Sequence, residues 1–185
     1  MPADAPIYDR VALIGLGLIA GSMAHAMRRG GLVGEIVGTA RSAETRDAAR
    51  EIGLVDRVVD TAAEAVAGAD LIVLAVPVGA MGAVAEEIAP HLAPGATVTD
   101  VGSVKGAVIE AVGPYIPEGV HFVPAHPLAG TEHSGPRSGF ASLFDNRFTL
   151  IVPADAGCRP AIALRVEVLP TPLLPIKVVI CPLGA

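Results

Sequence analysis

The strongest constraint on this chain lies at its start. An apolar run, Arg10 to Leu16 (RVALIGL), ends in Gly15-Leu16-Gly17-Leu18-Ile19-Ala20, and a helix-forming stretch comes at once after it. A GxGxxA between a buried strand and a helix suits a chain that turns sharply and brings bare backbone up to a phosphate. Gly15 makes the tight turn. Gly17 leaves no side chain in the way, and Ala20 is small enough for the helix to lie close on the sheet. Leu18 and Ile19 open the helix, so their amides lie at its positive end, where an anion is held. Gly15, Gly17, Leu18, Ile19 and Ala20 are therefore candidate dinucleotide-binding residues.

The rest of the chain repeats that opening unit. Helix is expected over 18–29, stopped by Gly30-Gly31, then strand over 35–39 and a helix capped by Ser42 and ended near Gly53. Short strands at 58–59, 70–75, 96–100 and 120–123 alternate with helices at 62–67, 80–91 and 105–112, and a further strand is expected over 149–152. Alternation of this kind predicts an α/β fold, a doubly wound, mainly parallel Rossmann sheet. The composition agrees. Hydrophobic residues make up 52% of the 185, yet aromatics only 3% with no Trp, so the core is built from Ala, Val, Leu and Ile.

The domain reading is an N-terminal arm over 1–9, a dinucleotide-binding domain over 10–153 and an atypical tail over 154–185. Pro160, Pro170, Pro172, Pro175 and Pro182 make the tail irregular, since each removes an amide donor and obstructs the preceding helical turn. An extended arm, a disordered end and a truncated remnant all fit it. The two cysteines, Cys158 and Cys181, lie in this tail without metal-ligand spacing. A net charge of −6 gives no support for nucleic acid or an anionic membrane as partner. The longest apolar stretch is broken by Pro77, Gly79 and Gly82, and no secretory signal is visible, so a cytoplasmic protein is expected.

The choice of dinucleotide turns on the end of the second strand. A carboxylate about 20 residues beyond the glycines usually holds the ribose hydroxyls of NAD. Here the segment reads Thr39-Ala40-Arg41-Ser42. Arg41 with Ser42 suits a 2′-phosphate, while Arg41 stacked on adenine would admit NAD, so NAD and NADP stay open.

Two later segments leave the carboxyl ends of strands, where open α/β sheets bind their ligands. They are Asp100-Val101-Gly102-Ser103-Val104-Lys105 and His126-Pro127-Leu128-Ala129-Gly130-Thr131-Glu132-His133-Ser134-Gly135-Pro136. Taken singly, His126 reads as a satisfied strand-end histidine, Ser103 as a helix cap, and Lys105, Glu132 and His133 as solvated charges. His126 and His133 lack a third ligand for zinc, and His25, His91 and His121 read as structural.

Together with GLGLIAGS, these segments resemble the prephenate/arogenate (cyclohexadienyl) dehydrogenase family over Arg10 to Val152, with Ala20 where the family usually has Gly. HPLAGTEHSGP is the most specific part. The resemblance implies an oxidative decarboxylation of prephenate or arogenate, in tyrosine biosynthesis, with NAD or NADP as hydride acceptor. It implies that His126 accepts the substrate hydroxyl's proton and that Ser103 bonds both the hydroxyl and His126 and also lies by the cofactor. Gly130, Thr131 and Glu132 would line the substrate side; Ala75, Val76 and Pro77 would line the nicotinamide side. Members of the family continue into a helical domain that dimerises and supplies an arginine for a substrate carboxylate. Residues 154–185 match nothing in it, so a homodimer would lack the family's dimer domain. The alternative to an active dehydrogenase is a truncated or non-catalytic dinucleotide-binding module.

Overall fold

A computed structural model describes residues 5–152 and the backbone of Lys177–Ile180. The prolines and both cysteines of the tail lie outside those residues. Six strands, β1 (Tyr8–Ile14), β2 (Val33–Thr39), β3 (Arg57–Val58), β4 (Leu71–Leu74), β5 (Thr97–Asp100) and β6 (His121–Val123), form one parallel sheet in the order 3-2-1-4-5-6. This is the doubly wound order expected from the alternation.

Neighbouring residues of β1 explain the two layers. Val11 and Leu13 pack with Leu16, Ala20, Ala24 and Met27, so they meet helix α1 (Leu18–Gly30). Ala12 and Ile14 point the other way, into a cluster with Ile72, Met81, Ile88 and Val108. That second cluster draws on α3 (Ala62–Val66), α4 (Val78–Ile88) and α5 (Lys105–Val112). Small Ala side chains let the helices lie close to the strands, which is how so few aromatics suffice.

Local chemistry sets the boundaries. Gly31, at φ +62°, ends α1 and returns its amide to the carbonyls of Met27 and Arg28. Ser42 caps α2 (Ala43–Glu51), its hydroxyl accepting the Thr45 amide at 3.2 Å. Helix α4 begins two residues earlier than the sequence suggests, with Pro77 outside its first turn. Proline fits there because it has no amide to leave unpaired.

The last strands differ from the expectation of a single sheet. Thr99 and Val123 are the final register pair of β5 and β6. Pro124 comes next, at a position whose backbone faces away from β5, and its carbonyl accepts the Val152 amide at 3.0 Å. The chain leaves the sheet, and β7 (Ala125–Pro127) pairs antiparallel with β8 (Phe148–Ile151), placing His126 opposite Leu150. Strand β9 (Lys177–Ile180) joins β8 in parallel. The tail, expected to be irregular, thus contains a strand between Pro175 and Pro182. Among the described residues, no helix is long and apolar enough to cross a membrane.

Candidate active site

The glycine turn occupies the crevice between β1 and β4, where the winding of the sheet reverses. Gly15 has φ +100°, and a Cβ there would lie 2.5 Å from the Ala75 carbonyl oxygen. Only glycine permits this approach, which sets the turn directly beside Ala75 and Val76 at the end of β4. The candidate phosphate-binding and nicotinamide-side residues are therefore neighbours. A Cβ on Gly17 would meet nothing within 4 Å, so its absence preserves open space and not packing.

Gly17 is the N-cap of α1; no side chain caps it, and no acidic residue stands in the first turn. The first amides of any helix have no intrahelical partner, so those of Leu18, Ile19 and Ala20 face an open, electropositive end. Ala20 is fully buried, as its packing role requires. These features fit a pyrophosphate.

At the end of β2, Thr39 is committed to the Val59 carbonyl at 2.9 Å, and Arg41 and Ser42 are exposed. The loop has a support that its sequence does not announce. Arg46 Nη1 donates to the carbonyls of Ala40 at 2.6 Å and Arg41 at 3.2 Å. Its Nε sits 3.2 Å from Asp60 Oδ1, an ion pair without hydrogen-bond alignment. An arginine in the first turns of a helix gives no sign in the sequence that it will fold back over the preceding loop.

Ser103 follows β5 at the carboxyl edge, and His126 lies in β7, the strand reached when the chain leaves the sheet after β6. The cap of α5 is Val104, with no side-chain cap bond, so Ser103 is exposed and its hydroxyl is not the helix cap. His126 is half-buried, between the buried Ala125 and Pro127 of β7. Asp100 joins the two segments. Its wholly buried carboxylate accepts the Gly102 amide at 2.8 Å and the Ala125 amide at 3.1 Å. The residues next in sequence to those amides are Ser103 and His126.

Lys105 completes this arrangement and is not the surface charge its sequence context suggests. Its ammonium donates to Asp100 and, at 2.7 Å, to the Ala125 carbonyl, and its side chain is 12% exposed. Burial pushes the Lys105 ammonium below the usual lysine range, an effect the Asp100 carboxylate partly offsets.

Gly130, Thr131 and Glu132 lie on the exposed loop after β7. Thr131 Oγ1 accepts the His133 amide at 3.2 Å, and His133 Nε2 lies 3.5 Å from Glu132 Oε1. Pro77 is also exposed. Beyond this loop the chain returns to α1. Phe140 N donates to the buried Ser22 Oγ at 3.1 Å, and Leu143 and Phe144 pack with Leu18 and Ala26.

A family model described as "Prephenate dehydrogenase, nucleotide-binding domain" matches residues 23–171. The cyclohexadienyl dehydrogenase of Zymomonas mobilis is 42% identical over 147 residues, covering 80% of this chain and 50% of that protein. The crystal structure of Synechocystis arogenate dehydrogenase superposes with a TM-score of 0.79 at 32% identity, covering 94% of this chain and 59% of that one. Prephenate dehydrogenase from Aquifex aeolicus, solved in complex with hydroxyphenyl propionate and NAD+, also gives 0.79, at 26% identity, with coverages of 95% and 60%. The chain thus spans about half to three-fifths of the length of these relatives. With the nucleotide-binding domain of that family matched over residues 23–171, it belongs to the prephenate dehydrogenase family.

Proposed function

We propose that this chain carries the dinucleotide-binding half of an oxidoreductase that decarboxylates prephenate or arogenate oxidatively, a step of tyrosine biosynthesis in the cytoplasm. One observation carries the reading: Ser103 and His126 emerge from backbone held by a single carboxylate, at the sheet edge that also bears the glycine turn. The names of its relatives, prephenate, arogenate and cyclohexadienyl dehydrogenase, supply the substrate class.

Residues 10–153 are the dinucleotide-binding unit in this reading. The amides of Leu18, Ile19 and Ala20 hold the pyrophosphate beside Gly17, and Ala75, Val76 and Pro77 flank the nicotinamide. The bound nicotinamide supplies the hydride acceptor. His126, as neutral imidazole, accepts the proton of the substrate's ring hydroxyl as the carbonyl forms. Ser103 hydrogen-bonds that hydroxyl and orients it. The ring carboxylate leaves as carbon dioxide, and its bonding electrons complete the aromatic ring as the carbonyl oxygen takes back a proton and becomes the phenol hydroxyl. Much of the driving force belongs to the substrate, so the protein's work is orientation. Gly130, Thr131 and Glu132 border the substrate on the loop after β7.

Both dinucleotides fit the end of β2. The segment from Thr39 to Ser42 carries no carboxylate, the nearby Asp60 is paired with Arg46, and Arg41, its carbonyl held by Arg46, can pair with a 2′-phosphate. Absorbance of the reduced nicotinamide tests the reading, with NAD and NADP each offered alongside prephenate and arogenate. Turnover that disappears in His126→Ala is expected. Dinucleotide binding with no turnover on either substrate would leave this chain a binding module.

A further inference from the structure

The Asp100 carboxylate does more than its neighbours in the sheet require. The β5–β6 ladder ends at Thr99 and Val123, and Thr99 Oγ1 already ties the Val123 carbonyl at 2.7 Å. With the His121 amide on the Ala96 carbonyl, every second amide faces β5, and the next one after Val123 is that of Ala125. One residue further on, a side chain takes over from the backbone: Asp100 Oδ2 receives the Gly102 amide and Oδ1 the Ala125 amide. Lys105 then bonds both Asp100 and the Ala125 carbonyl, so Ala125 is held by its N–H and its C=O together.

We propose that Asp100 is a positioning residue for the reaction, its one carboxylate fixing the placement of Ser103 and His126 relative to each other, with Lys105 as its clamp. This rests on the proposed function, in which Ser103 and His126 do the chemistry. A carboxylate suits the task because it is acceptor-only, with room for two amides and an ammonium. Wholly buried, it binds them in a low dielectric where a misfit is costly. An amide in its place would turn an NH2 toward an N–H donor or toward the Lys105 ammonium.

The test needs no turnover. In isotope-labelled protein, Asp100→Asn should displace both the Ser103 amide resonance and the His126 ring resonances. The Gly15 and Gly17 amides should stay in place, and the dissociation constant for NAD should change by less than about threefold, as for distant, independent sites. Lys105→Met should move the same two residues, and Lys105→Arg should restore them in part. Should Asp100→Asn fail to fold, Lys105→Met carries the test alone. If Ser103 and His126 do not move together, the proposal fails. It fails equally if NAD binding and the Gly15 and Gly17 amides are disturbed to the same degree, or if both variants unfold, because the pair then serves the fold at large. Where the parent chain turns over, Asp100→Asn should lower kcat by roughly 100-fold, the scale of a small misplacement, with KM for NAD unchanged. A parent chain inert on both substrates would sink the proposed function and leave the resonance test intact.

Discussion

A methyl group at Gly15 would sit 2.5 Å from the Ala75 carbonyl oxygen, on a residue whose φ of +100° already disfavours any side chain. At Gly17 the same methyl would touch nothing, and the N-cap backbone there, at φ −95°, suits any residue. Gly15→Ala should therefore cost at least about 2 kcal/mol of folding stability through strain and backbone collision. Gly17→Ala should stay within about 1 kcal/mol, the scale of a changed N-cap. Yet Gly17→Ala should weaken NAD binding by at least about tenfold, or 1.4 kcal/mol, because its methyl enters the space the pyrophosphate needs. Denaturant unfolding and calorimetric titration separate the two, and unchanged binding in Gly17→Ala would move the pyrophosphate elsewhere. The turn at Gly15 is legible in the sequence because a local motif fixes it. Lys105 is not. Its burial depends on Asp100 reaching Ala125, 25 residues away, and nothing in the local string DVGSVK reports that contact.

The segment from Pro136 to Arg147 acts as a strap across α1. A Cβ at Gly139 would lie 2.8 Å from the Gly21 carbonyl carbon and 2.9 Å from the Ser22 nitrogen. Ion pairs Arg137–Glu51 and Arg29–Asp145 flank this close approach. The helix whose N-terminus faces the dinucleotide is thus pinned by the continuation of the proposed substrate loop. Backbone against backbone has nowhere to yield, so Gly139→Ala should cost roughly 1–3 kcal/mol, as overpacking does, and should loosen NAD binding as well. Arg137→Ala breaks an exposed pair and should change stability by less than about 1 kcal/mol. Thermal melts with and without NAD decide it; a larger loss from Arg137→Ala would mean that charge, not close packing, holds the strap. At this scale, periodicity finds the six parallel strands and their helices to within a few residues. It misses β7 as a separate strand because AHP is three residues long and comes straight after Pro124, and β9 because prolines dominate the stretch around KVVI. Their pairing partners, not their own composition, define both strands.

Across the whole molecule, the proposed cofactor and catalytic residues stand on different elements: the glycine turn follows β1, Ser103 follows β5, and His126 lies in β7 of the second sheet. The dinucleotide elements, β1, α1 and the β2 end, share the cluster of Val11, Leu13, Ala20 and Ile36, while β5, α5 and the neighbouring helices share the cluster of Val98, Val108 and Met81. A ligand that binds only the folded chain stabilises it by about 2.7 kcal/mol at a concentration 100 times its dissociation constant. For 150–250 residues each kcal/mol raises Tm by about 2–4 °C, so saturating NAD should raise the melting temperature by roughly 5–10 °C. That increment should survive in His126→Ala, since His126 belongs to β7 and not to the glycine turn, and fall to about half or less in Gly17→Ala at the same NAD concentration. Loss of the increment in His126→Ala would show that β7 and the turn behave as one unit. The residue proposed as proton acceptor would then belong to the cofactor's binding surface as much as to the substrate's.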